Sequence, residues 1–175
     1  MFPPEVCVDT FSVPHDAYDP VGFLVQTSGG NIGLLTDLGH PTRLAKERVR
    51  LANALILEAN YDRQLLQDDT RRPWATKQRI MSRHGHLSND SAAQLAAEIV
   101  SPQLQHLFLA HLSGDCNRPD LACETVSRAL NEVGASHVTV EATCQKPPNA
   151  TLTLKPPPPA EPRPSPTLEE SPERF

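Results

Sequence analysis

Apolar and polar residues alternate over residues 5–13, with Cys7, Phe11 and Val13 on one side and Val6, Val8, Thr10 and Ser12 on the other. That alternation predicts a β-strand. The turn formers of Pro14-His15-Asp16-Ala17-Tyr18-Asp19-Pro20 predict a loop after it. Residues 21–27 (VGFLVQT) and 32–36 (IGLLT) read as two more strands, joined through Ser28-Gly29-Gly30-Asn31 as a tight hairpin. Thr42 is placed to cap a helix over residues 43–51, and the apolar run ALILE at 54–58 predicts a strand buried on both sides. Helices are expected over 61–67 and 73–83, the second with Pro73 near its start, where a missing N–H costs little. Ser88 or Asn89 caps a further helix running to about residue 100, with Ala92, Leu95, Ala96 and Ile99 on one face. A buried strand over 104–112, a helix over 119–133 stopped by Gly134, and a last strand over 137–143 complete the series. Three meandering strands followed by strand–helix units predict an α/β layered architecture.

At Gln145 the pattern stops. Pro147, Pro148, the run at 156–159 and four later prolines dominate, and apolar residues are scarce. Such a stretch cannot bury enough surface to offset its ordering entropy. The chain therefore divides into a folding unit over residues 1–144 and a disordered Pro-rich tail over 145–175. With 38% apolar and 5% aromatic residues, the front unit can build a modest core. The formal net charge is -5, so the chain lacks the basic footprint of a protein that holds nucleic acid by charge alone. Any such role must rest on a local site. The cysteines at 7, 116, 123 and 144 form no C-x-x-C pair and match no zinc ribbon, and they are expected as free thiols in a reducing compartment. No run approaches the roughly 20 apolar residues of a membrane helix. The MFPPEV start does not read as a signal peptide, so the expected location is the cytoplasm.

Four polar residues fall at strand ends or in loops, where sites are commonly grafted. His15 follows the first strand; taken alone it is an ordinary surface histidine. Asp37 follows the strand at 32–36 and reads equally as a metal ligand or a turn former. His86, in Gly85-His86-Leu87-Ser88-Asn89, stands before a helix, where it either meets an anion or sits idle beside a cap. His111 ends the strand at 104–112, as a core histidine or as a group facing whatever lies over the strand ends. His40 and His84 read as solvated or structural. Imidazoles and a carboxylate at separate strand ends together suit Zn²⁺, Mn²⁺ or Fe²⁺.

In order along the chain stand Pro14-His15-Asp16-Ala17 through Phe23, Thr36-Asp37-Leu38-Gly39, Leu57-Glu58-Ala59-Asn60, Gly85-His86-Leu87-Ser88-Asn89 and Ala110-His111-Leu112-Ser113. This ordered set resembles the second half of metallo-β-lactamase-fold metal-dependent hydrolases, most of all their bacterial DNA 5′→3′ exonuclease branch. Pro73-Trp74, Lys77 and Arg79-Ile80 fit that branch too. The resemblance covers roughly residues 5–143; the full set is specific, while any one of its segments is weak. It implies the C-terminal half of a metallo-β-lactamase-like αββα sandwich. His15 resembles the histidine on one metal, Asp37 the aspartate bridging two, and His111 the histidine on the second. His86 resembles a histidine beside the scissile phosphate that acts as proton donor, which makes His86 and Asp37 the implied catalytic pair. Glu58 either supports the ligands from behind or is a plain buried carboxylate; Asn60 and Asp62 are typical of the branch and carry no assigned role.

The implied activity is phosphodiester hydrolysis in DNA with two divalent ions, Zn or Mn. The family's other half carries the metal-binding string H-x-H-x-D-H, which this sequence does not contain. The site is therefore expected to be incomplete, the chain to be a fragment or truncated reading, and its activity alone to be slight. Alternatives are a lactonase, thioesterase or RNA-processing hydrolase of the same fold, or a non-catalytic interaction protein whose Pro-rich tail docks a partner's SH3-like groove.

Overall fold

Eleven elements form around one sheet in the computed structural model, which describes residues 6–144 and 148–154. They are β1 (Cys7–Ser12), β2 (Val21–Thr27), β3 (Gly30–Leu35), α1 (Arg43–Val49), β4 (Ala54–Glu58), α2 (Arg63–Asp68), α3 (Trp74–Ile80), α4 (Asn89–Ile99), β5 (His106–Ala110), α5 (Pro119–Glu132) and β6 (Thr139–Ala142). Of the tail expected from residue 145, residues 145–147 and 155–175 lie outside the described residues, and residues 148–154 are described without helix or strand.

The strands stand in chain order, β1 through β6. β1, β2 and β3 form an antiparallel meander, and β3 to β6 run parallel. Each parallel step needs a crossover, which the helices supply. This order sends the C-terminal ends of β1, β3, β4, β5 and β6 to one rim.

The ALILE run forms β4 within the predicted bounds, at the centre of the sheet. Leu24, Leu35, Leu55, Leu57, Leu107 and Leu109 lose all contact with water and join Val49, Leu95, Ile99 and Leu130 from α1, α4 and α5 in the main core. Each such leucine contributes roughly 1.5–3 kcal/mol. On the opposite face Phe23, Leu34, Ile56 and Phe108 lie in register across four strands and are only half-buried.

Helix starts follow the caps. Thr42 accepts from the Ala45 amide at 3.1 Å, and Ser88 from the Ser91 amide at 3.1 Å. Asp62 caps α2 through the Leu65 amide at 2.9 Å, which moves that helix two residues later than the pattern suggests. Tyr61, expected inside it, instead forms a parallel bridge to Ser88. The helix expected to reach residue 83 ends at Ile80 because the chain turns back: the His86 amide donates to the Ile80 carbonyl at 2.9 Å. That turn requires glycine. A Cβ on Gly85 would stand 2.2 Å from the Arg79 and Ile80 carbonyl oxygens, and one on Gly39 would stand 2.2 Å from the Ser82 oxygen.

Candidate metal centre

Four of the five groups at the C-terminal rim leave the ends of strands. Asp37 follows β3 by two residues, Glu58 is the last residue of β4, His111 follows β5 directly, and His15 lies three residues past β1. His86 arrives from the turn between α3 and α4. Asp37 and His111 both adopt left-handed backbone, at φ 56° and 58°. Non-glycine residues pay for that conformation, and it recurs where a site needs a side chain re-aimed. The Asn60 side chain braces one of the two by donating to the His111 carbonyl at 2.8 Å.

Glu58 organises the cluster. Its side chain has 0% exposure, and five donors converge on it. Oε1 receives His111 Nδ1 at 2.6 Å, His86 Nδ1 at 2.8 Å and the Asp37 amide at 3.3 Å. Oε2 receives the Leu87 amide at 2.9 Å and the Leu38 amide at 3.4 Å. Burial by itself raises the pKa of this carboxyl, but the bonds from His111, His86 and the Leu87 amide outweigh it and hold the group below the usual range. The same bond to Glu58 raises the pKa of His111 against the opposing effect of its burial. An ionised carboxylate accepts only, so both imidazoles donate through Nδ1, and in the neutral form Nε2 carries the lone pair.

His15 is oriented in the same way by a neutral partner. Its Nδ1 lies 3.0 Å from the Gly85 carbonyl, a bond that leaves Nε2 open 3.6 Å from Asp37 Oδ1. The same Asp37 oxygen stands 3.6 Å from His111 Nδ1 and 4.0 Å from His86 Nδ1. The His86 ring sits 5.0 Å from that of His15 and 5.1 Å from that of His111. Ligand atoms of Asp37, Glu58, His86 and His111 all lie within 4.8 Å of one another, and His15 joins them through Asp37. Imidazole nitrogens oriented by a carbonyl or a buried carboxylate, around a half-exposed aspartate, are the donor set of a divalent-cation site, so the residues fit the expected metal.

All four residues singled out in the sequence therefore meet at one rim. The one underrated was Glu58, whose role as a common acceptor is visible only when His86 and His111 stand beside it. His84 contributes its carbonyl to the Asp16 amide at 3.0 Å, and His40 lines a separate small cavity with Lys46 and Glu98. A cavity of about 350 Å³ opens beside the cluster, walled by His86, His111, Asn60, Tyr61, Arg72 and Arg79 among others. Arg72 is tied to Asp69 and Asp115, and Arg79 to Asp16.

No family model matches this chain. It is 36% identical over 130 residues to the exodeoxyribonuclease YycJ of Bacillus anthracis, covering 74% of this chain and 49% of that protein. It is 31% identical over 126 residues to the exodeoxyribonuclease WalJ of Streptococcus pneumoniae, covering 72% of this chain and 46% of that protein. The chain thus spans about half the length of the curated relatives it matches. In structure it resembles the metallo-β-lactamase-fold protein YhfI of Bacillus subtilis, with a TM-score of 0.55 and 13% identity, over 81% of this chain and 49% of that one. The fold read from the sequence holds in this comparison, and the sequence relatives carry the exodeoxyribonuclease name of the branch that the chain resembles.

Proposed function

We propose that this chain, half a metallo-β-lactamase fold akin to the exodeoxyribonucleases, supplies one side of a divalent-metal site that hydrolyses phosphodiester bonds in DNA. The observation that carries the reading is the meeting of His15, Asp37, His86 and His111 around the buried Glu58 carboxylate. His15, Asp37 and His111 would hold the metal. A divalent cation there would act as a Lewis acid on a phosphoryl oxygen and lower the pKa of water. Zinc and manganese both suit the donors.

The chain's own residues divide the remaining work. Asp37, central among three imidazoles, provides the negative charge that the ligands share. Glu58 keeps both Nδ1 protons in place, so that Nε2 of His86 is the nitrogen that exchanges a proton with the leaving oxygen. The adjoining cavity, with Arg72 and Arg79 on its wall, receives the phosphate-bearing end of the strand. The Pro-rich tail is outside this chemistry, and the setting is cytoplasmic.

The direct test has two arms. Calorimetric titration of the chain with Zn²⁺ or Mn²⁺ should show binding that His111→Ala weakens about 10–100-fold or more, the range for groups that hold or orient a metal ligand. Hydrolysis should be measured with a 5′-phosphorylated DNA strand, RNA and an acyl lactone, on the chain alone and mixed with the remaining half of a YycJ-type protein. DNA turnover that depends on Asp37 and on the added half is expected. Absence of metal binding, or faster turnover of RNA or lactone than of DNA, would overturn the assignment.

A further inference from the structure

The half-buried face of the sheet has chain beside two of its corners. Beyond the sheet the described chain resumes at residue 148 and comes close to the sheet at two points. At one corner Asn149 is stitched to the end of β6. Its side chain donates to the Ala142 carbonyl at 3.0 Å and to Glu141 Oε2 at 3.4 Å, and accepts from the Cys144 amide at 3.1 Å. At the opposite corner Leu154 Cδ1 stands 3.3 Å from where a Cβ on Gly30 would lie.

Strand parity places both corners on the same side. Leu107 and Leu109 face the helices, so their neighbours Val140 and Ala142 do too, and Glu141 faces the other way with Phe108. Gly33 packs on Ala52 and Val49 of the helical side, so position 30, an odd number of residues away, belongs to the open side. From Glu141 the register runs through Phe108 and Ile56 to Leu34, four residues beyond Gly30. Three strand spacings and that offset make a diagonal of about 19 Å. Five extended residue steps reach about 17 Å, and the Asn149 and Leu154 side chains close the remainder. Only a nearly straight path across β5 and β4 fits. An extended path turns alternate side chains to opposite sides, and Leu152 and Leu154 are indeed half-buried while Thr151 and Thr153 are exposed.

We propose that residues 149–154 are a strap that closes the apolar open face of the sheet, and that this strap must lift before any second sheet can pack there. The strap keeps Phe108 and Ile56 from water while the face has no other partner. It occupies the layer that a companion sheet, packed about 10 Å away, would need.

The test is made in the full chain. Leu152→Asp with Leu154→Asp should raise the fluorescence of the hydrophobic dye ANS severalfold and raise the mass seen by light scattering above the parent's, with the circular dichroism unchanged. An unaltered dye signal and an unaltered mass would overturn the strap. Should the double variant lose its folded spectrum, Asn149→Ala decides, since it touches only the β6 anchor: a rise in dye binding supports the strap, and no rise refutes it.

Discussion

Strand β4 is bracketed by two buried polar residues that solve the same problem differently. Asn53, just ahead of the strand, has 4% exposure. Its Oδ1 accepts from the Asn31 amide at 2.8 Å, its Nδ2 donates to the Gln103 carbonyl at 3.2 Å, and its backbone pairs with Asn31 and Gln105. Glu58, at the other end, is buried completely, yet it carries a charge and draws two titratable side chains as well as backbone amides. A neutral amide stitched to backbone closes a sheet edge and does nothing more. An ionised carboxylate in the same depth needs polar donors strong enough to hold it, and those donors are then oriented for chemistry. One rim of the sheet is sewn shut; the other is poised.

Removing the charged organiser should have the largest effect. Glu58→Ala leaves the Leu87 and Leu38 amides and two imidazoles without their acceptor, and about 3–5 kcal/mol of stability should be lost on urea unfolding, together with metal affinity. A stability within 1 kcal/mol of the parent would end the view of Glu58 as the keystone. Asn53→Ala should cost about 1–3 kcal/mol, the range for an unpaired buried group, and leave metal affinity unchanged. Any tenfold fall in metal affinity in that variant would erase the distinction between the two rims.

Asp69 separates charge from site. Arg72 and Arg71 hold its carboxyl well below the usual range, chiefly through the Arg72 hydrogen bond. Because the folded pKa is depressed, this contribution is complete above the unfolded value of about 4 and disappears as the pH falls toward the folded one. Asp69→Asn should therefore lower stability at neutral pH and flatten the acid limb of the unfolding midpoint, with no change in metal binding. An acid limb as steep as the parent's would assign the effect elsewhere. The smallest stability change is expected for Asp37→Asn. Asparagine tolerates the left-handed backbone, so unfolding should move by no more than about 0.5 kcal/mol while metal affinity falls. Retained affinity would remove Asp37 from the ligand set.

Local signals made most elements legible. The apolar run of β4, the cap at Thr42 and the amphipathic course of α5 each carry their own instruction. Strand ends were less so. The strand expected over 104–112 stops at Ala110, because His111 takes left-handed backbone and leaves the ladder to face the site. Asn60 and Asp62, to which the sequence assigned no role, brace His111 and cap α2. Nothing in a side chain's identity says which carbonyl or amide it will find.

By itself the sequence determined the α/β order, the apolar strands, the composition break at residue 145 and the identity of His15, Asp37, His86 and His111 as groups at strand ends. Only the tertiary structure decided that Glu58 anchors Asp37, His86 and His111, that the Gly85 carbonyl aims His15, and that Asn149 is tied to the end of β6. The reason is physical. Periodicity and caps act between residues a few positions apart, whereas a buried carboxylate acquires its partners from the tertiary fold, which brings positions 86 and 111 each within a hydrogen bond of position 58.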